Sequence, residues 1–246
     1  MDDRHLDGWH SPALGQGMPI AAYGHWGHPL LLFPTAAADY LENERFGLVG
    51  ALAPQIEAGR VRVFSINSIN QQAWMDDKLP VGEQARRQAL YSAYVEDEVV
   101  PYIRGVCRSP ELRVATAGAS FGAFHAANAL FRRPELFDGV IAMSGFYDLA
   151  GDYLRGYCDD NCYFNNPAWY LANLEGERLE LLRTSCQIHV LTGQGAWEAP
   201  DASRQLSELL DRKGIPHLLD LWGHDVAHDW PWWRKMLPYA IDRMGW

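Results

Sequence analysis

The sequence predicts an α/β fold, a mostly parallel sheet buried between layers of helices. Two observations point to it. Short runs of β-prone apolar residues recur along the chain, several of them apolar at successive positions, as in strands covered on both faces. Between them lie longer segments with apolar residues at helical spacing, so strand and helix alternate.

The apolar runs are MPIAAYG (18–24), PLLLFPT (29–35), VRVFSIN (61–67), LRVATAG (112–118), GVIAMSG (139–145), QIHVLTG (187–193) and HLLDLWG (217–223). Residues 83–106 carry Tyr91, Val95, Val99, Tyr102 and Val106 at helical spacing, and Pro101 should kink or restart that helix. An Ala- and Phe-rich helix is expected over 121–131. In DASRQLSELLDRKGIP, Asp201 reads as an N-cap, with Leu206, Leu209 and Leu210 as the buried stripe and Gly214 as the stop. A last helix is expected from Pro231, a favoured first-turn proline, burying Trp233, Leu237, Ala240, Ile241 and Met244.

Composition fits one domain over residues 1–246, 48% hydrophobic and 21% charged, with no linker and no repeat. The net charge is −10 and there is no basic stripe, which argues against a nucleic-acid partner. No stretch approaches the ~20 apolar residues of a membrane span. The N-terminus opens with charges rather than a secretory apolar run, so the expected location is the cytoplasm. Cys107, Cys158, Cys162 and Cys186 are expected as free thiols. Cys158 and Cys162 flank two Asp, but no second ligand cluster exists, so no metal is expected.

The chemistry is written in AGASFGAF (117–124). LRVATAG reads as a buried strand and SFGAFHAANALF as a helix, so Ser120 sits at a sharp turn in Gly118-Ala119-Ser120-Phe121-Gly122. Such a turn strains the serine and brings strand and helix too close for flanking side chains, which the glycines allow. The hydroxyl is held at the tip of the sheet, and the Phe121 N–H at the helix start could donate to a developing oxyanion.

A serine nucleophile needs a base of near-neutral pKa, expected on the loop after the last strand. WGHDVAHDWPWWR offers His224 and His228. His228, in the free part of the loop, is the expected base, with His224 in reserve. The acid should follow strand 187–193, where TGQGAWEAPDAS offers Glu198 and Asp201. Asp201 has an explanation as a cap, which leaves Glu198 as the expected acid. A second oxyanion donor is expected after the run ending near Phe33. Pro34 has no N–H, so Thr35 or Ala36 is expected, at the head of a run of three alanines.

Taken together, YGHWGHPLLLFPT, GASFGAFHAANALFRRPELFDGVIAMSGFYDL, YFNNP and GIPHLLDLWGHDVAHDWPWWRKMLP resemble the putative-esterase branch of the α/β-hydrolases. That branch includes esterase D-like enzymes, enterochelin esterases and mycolyltransferases. HDWPWWR is similar to the H-x-W ending that carries the family's catalytic histidine, here His228. The resemblance implies a sheet of about eight strands and a serine carboxylesterase mechanism without a cofactor. The order Ser120, Glu198, His228 is that of the α/β-hydrolases. One departure is the acid: many relatives carry an Asp a few residues after the glycine that ends the preceding strand, where this chain reads GQGAW.

The expected substrate is a small or medium ester, with Trp74, Trp197 and Trp230 as candidate pocket walls. Residues 69–82 and 149–170 should cover the site and are short for a large lid. An acyltransferase with the same triad, or a binding protein on the same fold, are the alternatives. Nothing in the sequence fixes the oligomeric state.

Overall fold

The computed structural model describes residues 4–36 and 38–246. Its eight strands are β1 (Arg4–Ser11), β2 (Gln16–Tyr23), β3 (His28–Phe33), β4 (Val61–Ile66), β5 (Val114–Ala119), β6 (Phe137–Met143), β7 (Gln187–Thr192) and β8 (Leu218–Leu221). They form one sheet in the order β1-β2-β4-β3-β5-β6-β7-β8. β1 and β2 pair antiparallel, β2 meets β4 antiparallel, and the remaining pairs are parallel. The longer helices are α1 (Val81–Tyr94), α2 (Val100–Cys107), α3 (Phe121–Arg132), α4 (Glu177–Thr184), α5 (Pro200–Arg212) and α6 (Trp230–Met244).

The continuous apolar runs are explained by burial on both faces. Along β3, Leu31 and Phe33 pack with Tyr91, Tyr94, Leu130 and the α5 leucines. Leu30 and Leu32 face the other way, against Leu48, Leu52 and the α6 stripe Trp233, Leu237 and Ile241. Alternate side chains from Leu30 to Phe33 therefore feed two cores, and the one polar residue of the strand, His28, stands at its start.

Two elements differ from expectation, and the expected break at Pro101 takes a particular form. β1 has no apolar signature because it is an edge strand, mostly exposed, with Trp9 packed on Tyr94 and Tyr102 at 5.9 and 5.2 Å. The Pro101 restart takes the form of a π-turn over Val95–Val99, which places the proline in the first turn of α2 where its missing N–H costs nothing. Asp201 is not the N-cap of α5. Pro200 begins that helix, Ala199 caps it, and Asp201 is an exposed first-turn residue paired with Arg204 at 3.2 Å. All four cysteines are free. No group of metal-ligating side chains occurs among the described residues. No described helix is long and apolar enough to cross a membrane.

Candidate active site

The turn after β5 is the most strained feature of the chain's chemistry. Ser120 holds φ 57° and ψ −123°, a conformation that L-residues rarely adopt, and its N–H is tied to Met143 O at 2.9 Å. A Cβ on Gly118 would stand 2.4 Å from the Gly122 backbone, and one on Gly122 would stand 2.7 Å from Phe33 O and Pro34 O. The glycines are thus a packing requirement: the first lets strand meet helix, and the second lets α3 press on the end of β3. The Ser120 hydroxyl ends up at the C-terminal edge of the parallel strands, in front of α3.

The acid and base loops meet at the same edge. Gln194 N–H donates to Gly223 O at 3.2 Å, Gly195 N–H to Val226 O at 2.9 Å, and His228 N–H to Ala196 O at 2.9 Å. A Cβ on Gly193 or Gly195 would collide with Val226 O. This zipper explains the GQG where relatives carry an acid, because there is no room for a side chain at either glycine. The carboxylate that lies beside His228 is that of Glu198. Its Oε2 lies 3.6 Å from His228 Nδ1. His224 is exposed, and Asp201 points to solvent with its side chain 85% accessible.

Glu198 is carried by residues that the sequence did not mark. Its side chain is only 1% exposed. Ser144 Oγ donates to Oε1 at 2.6 Å and Thr192 Oγ1 to Oε2 at 3.1 Å. Trp233 Nε1 in turn donates to Ser144 Oγ at 3.0 Å, and the His228 ring sits edge-on to Trp233 at 5.0 Å. Burial pushes the Glu198 carboxyl up, but His228, Ser144 and Thr192 together outweigh it and hold it below the usual carboxylate range. Ser144 is itself in a left-handed conformation, φ 51°, just past the end of β6.

The oxyanion side needs one revision. The Thr35 N–H donates to Glu42 Oε2 at 2.7 Å, and its hydroxyl to the same carboxylate at 2.8 Å. Thr35 is therefore occupied by Glu42, which leaves Ala36 of the two expected donors. Ala37 lies outside the described residues. Ala36 packs against the cluster that contains Phe121. Its carbonyl is held by Asn70 Nδ2 at 2.5 Å and Ser68 Oγ at 3.2 Å. Asn70 Oδ1 meets His125 Nε2 at 2.9 Å. With its amide nitrogen committed to Ala36 O, Asn70 presents oxygen to the imidazole, so His125 carries the proton on Nε2 and donates.

His125 is buried and its pKa is pushed down by burial to about 3. The sign follows directly. Between the ordinary value of 6.5 and about 3, the unfolded chain binds a proton that the folded chain refuses, so stability falls with pH in that window. The slope attributable to this one group is up to roughly 1.4 kcal/mol per pH unit. Urea midpoints of wild type and His125→Gln from pH 7 to 4.5 should therefore diverge, with the variant losing less. Parallel curves would remove the buried neutral histidine.

The aromatic expectations divide. Trp74 is 2% exposed, donates Nε1 to Gln88 Oε1 at 3.0 Å and lies edge-on to Tyr153, so it backs the wall rather than forming it. The half-buried wall is Phe146 and Tyr153, stacked at 5.6 Å and both edge-on to Phe121. Trp230 stacks on Phe46 at 4.6 Å. Trp197 is 91% exposed at φ 65°, one residue before Glu198. The two covering segments are joined by Arg155 and Asp77 at 3.3 Å.

A family model described as "Putative esterase" matches residues 47–244. The chain belongs to the putative esterase family. Membership makes it a carboxylic ester hydrolase, and solved structures agree on the α/β-hydrolase fold. A ferulic acid esterase superposes with TM-score 0.74 at 19% identity, covering 97% of this chain and 96% of that one. An S-formylglutathione hydrolase from Agrobacterium tumefaciens gives 0.76 at 14% identity, with 99% and 93% covered. MPT51 (FbpC1) from Mycobacterium tuberculosis gives 0.68 at 15% identity, with 97% of each chain covered. No curated protein matches by sequence.

Proposed function

We propose that this esterase is a serine enzyme that cleaves a small or medium ester through an acyl-enzyme, with Ser120 as nucleophile, His228 as base and Glu198 as acid. The observation that carries the reading is the strained Ser120 turn between two glycines that have no room for a Cβ. A merely structural serine at a helix start would not require φ 57°.

In the proposed cycle, His228 Nε2 accepts the Ser120 proton as Oγ attacks the ester carbonyl carbon. The carbonyl electrons move to oxygen, and the Phe121 and Ala36 N–H groups stabilise that charge. Collapse breaks the bond to the alcohol, which leaves with the proton from His228. Water then adds to the acyl-enzyme by the same steps, releasing acid and restoring Ser120. Glu198 orients the imidazole and stabilises its cation. Phe146 and Tyr153 favour an apolar or aromatic group beside Phe121. The protein is proposed to act as one domain, in a cytoplasmic setting that suits its four free thiols.

The test is labelling by a fluorophosphonate, followed by hydrolysis of p-nitrophenyl acetate and butyrate. The reading expects one label per chain, on Ser120, and turnover of both esters that the label abolishes. Products formed with added alcohols would show whether water is the preferred acceptor. A folded protein that neither labels nor turns over would overturn the reading.

A further inference from the structure

A cavity of about 540 Å³ lies away from the edge that holds Ser120. It lies at the opposite, N-terminal edge of the parallel strands, between the β2–β3 loop, the start of β4 and the end of α2. We propose that it is a binding site for a small organic anion, with Arg62 and Arg108 taking a carboxylate or phosphate and Trp26 taking the flat organic part.

Charge is the first argument. The chain carries 31 acidic against 21 basic residues, yet the lining includes two arginines and, among the described residues, no acid. Neither arginine is in an ion pair among the described residues. Arg62 Nη1 donates to Val106 O at 3.2 Å, and its Nε is buried with no hydrogen-bond partner. Cys107, beside it, supplies no counter-charge, because burial pushes its thiol up. Asp7, on β1, is engaged by Tyr102 Oη at 3.1 Å and by the Gly8 N–H at 2.7 Å. A guanidinium left partly covered and without an anion is costly, and an arriving carboxylate or phosphate would supply the missing partner.

Construction is the second argument. Arg108 caps α2 in a left-handed conformation, φ 53°, and its side chain is exposed. Trp26 is 73% exposed, an unusual setting for an indole, and lines the same cavity. The loop that carries it lies tight on β4. Gly27 presses so closely on β4 that a Cβ there would stand 2.5 Å from the Arg60–Val61 backbone, and His28 N–H bonds Arg60 O at 2.8 Å. A flat apolar face beside two arginines that make no described ion pair, in a cavity of ligand size, suits an anion that carries a ring.

The experiment uses Ser120→Ala protein, so that the catalytic centre cannot turn over a probe, and titrates it calorimetrically with phenyl phosphate, benzoate, inorganic phosphate and phenol. Phenyl phosphate should bind one to one with Kd near or below about 1 mM, inorganic phosphate about tenfold more weakly, and phenol not measurably. Benzoate against phenyl phosphate shows which headgroup is preferred. Arg108→Gln, at an exposed position that does not threaten folding, should weaken phenyl phosphate about tenfold. Trp26→Ala should abolish the advantage of phenyl phosphate over phosphate. The indole N–H resonance of Trp26, assigned by Trp26→Phe, should shift on binding. No saturation by either ring-bearing anion, or binding unchanged in Arg108→Gln, would overturn the proposal, and neither result depends on the esterase reading.

Discussion

Ser120→Ala is expected to lower kcat on p-nitrophenyl acetate by about 10⁴- to 10⁶-fold, and His228→Ala to do the same. The two losses should not add. In the proposed cycle the serine is nucleophilic only when the imidazole accepts its proton, so removing either group removes the same step. The double variant should therefore match the singles, at the residual rate that the Phe121 and Ala36 N–H groups and substrate binding still provide. His224→Ala is the control. His224 is exposed on the same loop, and its removal should leave kcat within about threefold of wild type, as surface substitutions usually do. Steady-state rates of the four proteins, with melting curves to show that each is folded, decide the matter. Independent and additive losses, or a large loss at His224, would break the assignment.

The fold was legible because its strands are buried on both faces. Runs such as PLLLFPT carry that burial in sequence as unbroken hydrophobicity, and β3 feeds two cores with alternate residues. β1 was not legible for the converse reason. It covers one neighbour, stays wet and keeps a mixed composition. In the site, the glycines around Ser120 are a local steric requirement, and local requirements are written locally. Two of the supports of Glu198 are not local. Ser144 lies 54 positions before Glu198, and Trp233 lies 89 positions from Ser144, joined only when β6, β7 and α6 converge. Trp233 fits the apolar stripe of α6 so well that nothing in the sequence hints at the hydrogen bond its indole makes. Asn70 and His125 are alike in this, 55 positions apart and paired only through the fold. Thr35 shows the opposite hazard. Its place after β3 suits an oxyanion donor, but Glu42, seven residues on, takes its N–H.

Glu198→Gln is expected to cost about 10⁴-fold in kcat, because an amide can present its N–H₂ to Nδ1 and stabilise the wrong imidazole tautomer. Asp201→Asn should cost almost nothing, since Asp201 faces solvent and pairs only with Arg204. Ser144→Ala should fall between them, with kcat down about 10- to 100-fold and KM nearly unchanged. The hydroxyl touches the acid, and its loss leaves Glu198 Oε1 and Trp233 Nε1 without a shared partner in a buried place. Trp233→Phe keeps most of the packing and removes only the outer donor, so its loss should be smaller still. The depressed Glu198 carboxyl adds a second signature. Its stabilising contribution is present above the ordinary carboxylate value and is lost as pH falls through its lower folded value. The thermal stability of Glu198→Gln should accordingly change less than that of wild type as pH is lowered through the acid range. The ranking tests the whole arrangement at once. If Asp201→Asn were the damaging change and Glu198→Gln the mild one, the hydrogen bonds from Ser144 and Thr192 would be holding a carboxylate with no part in the reaction, and the acid would have to reach His228 from the start of α5.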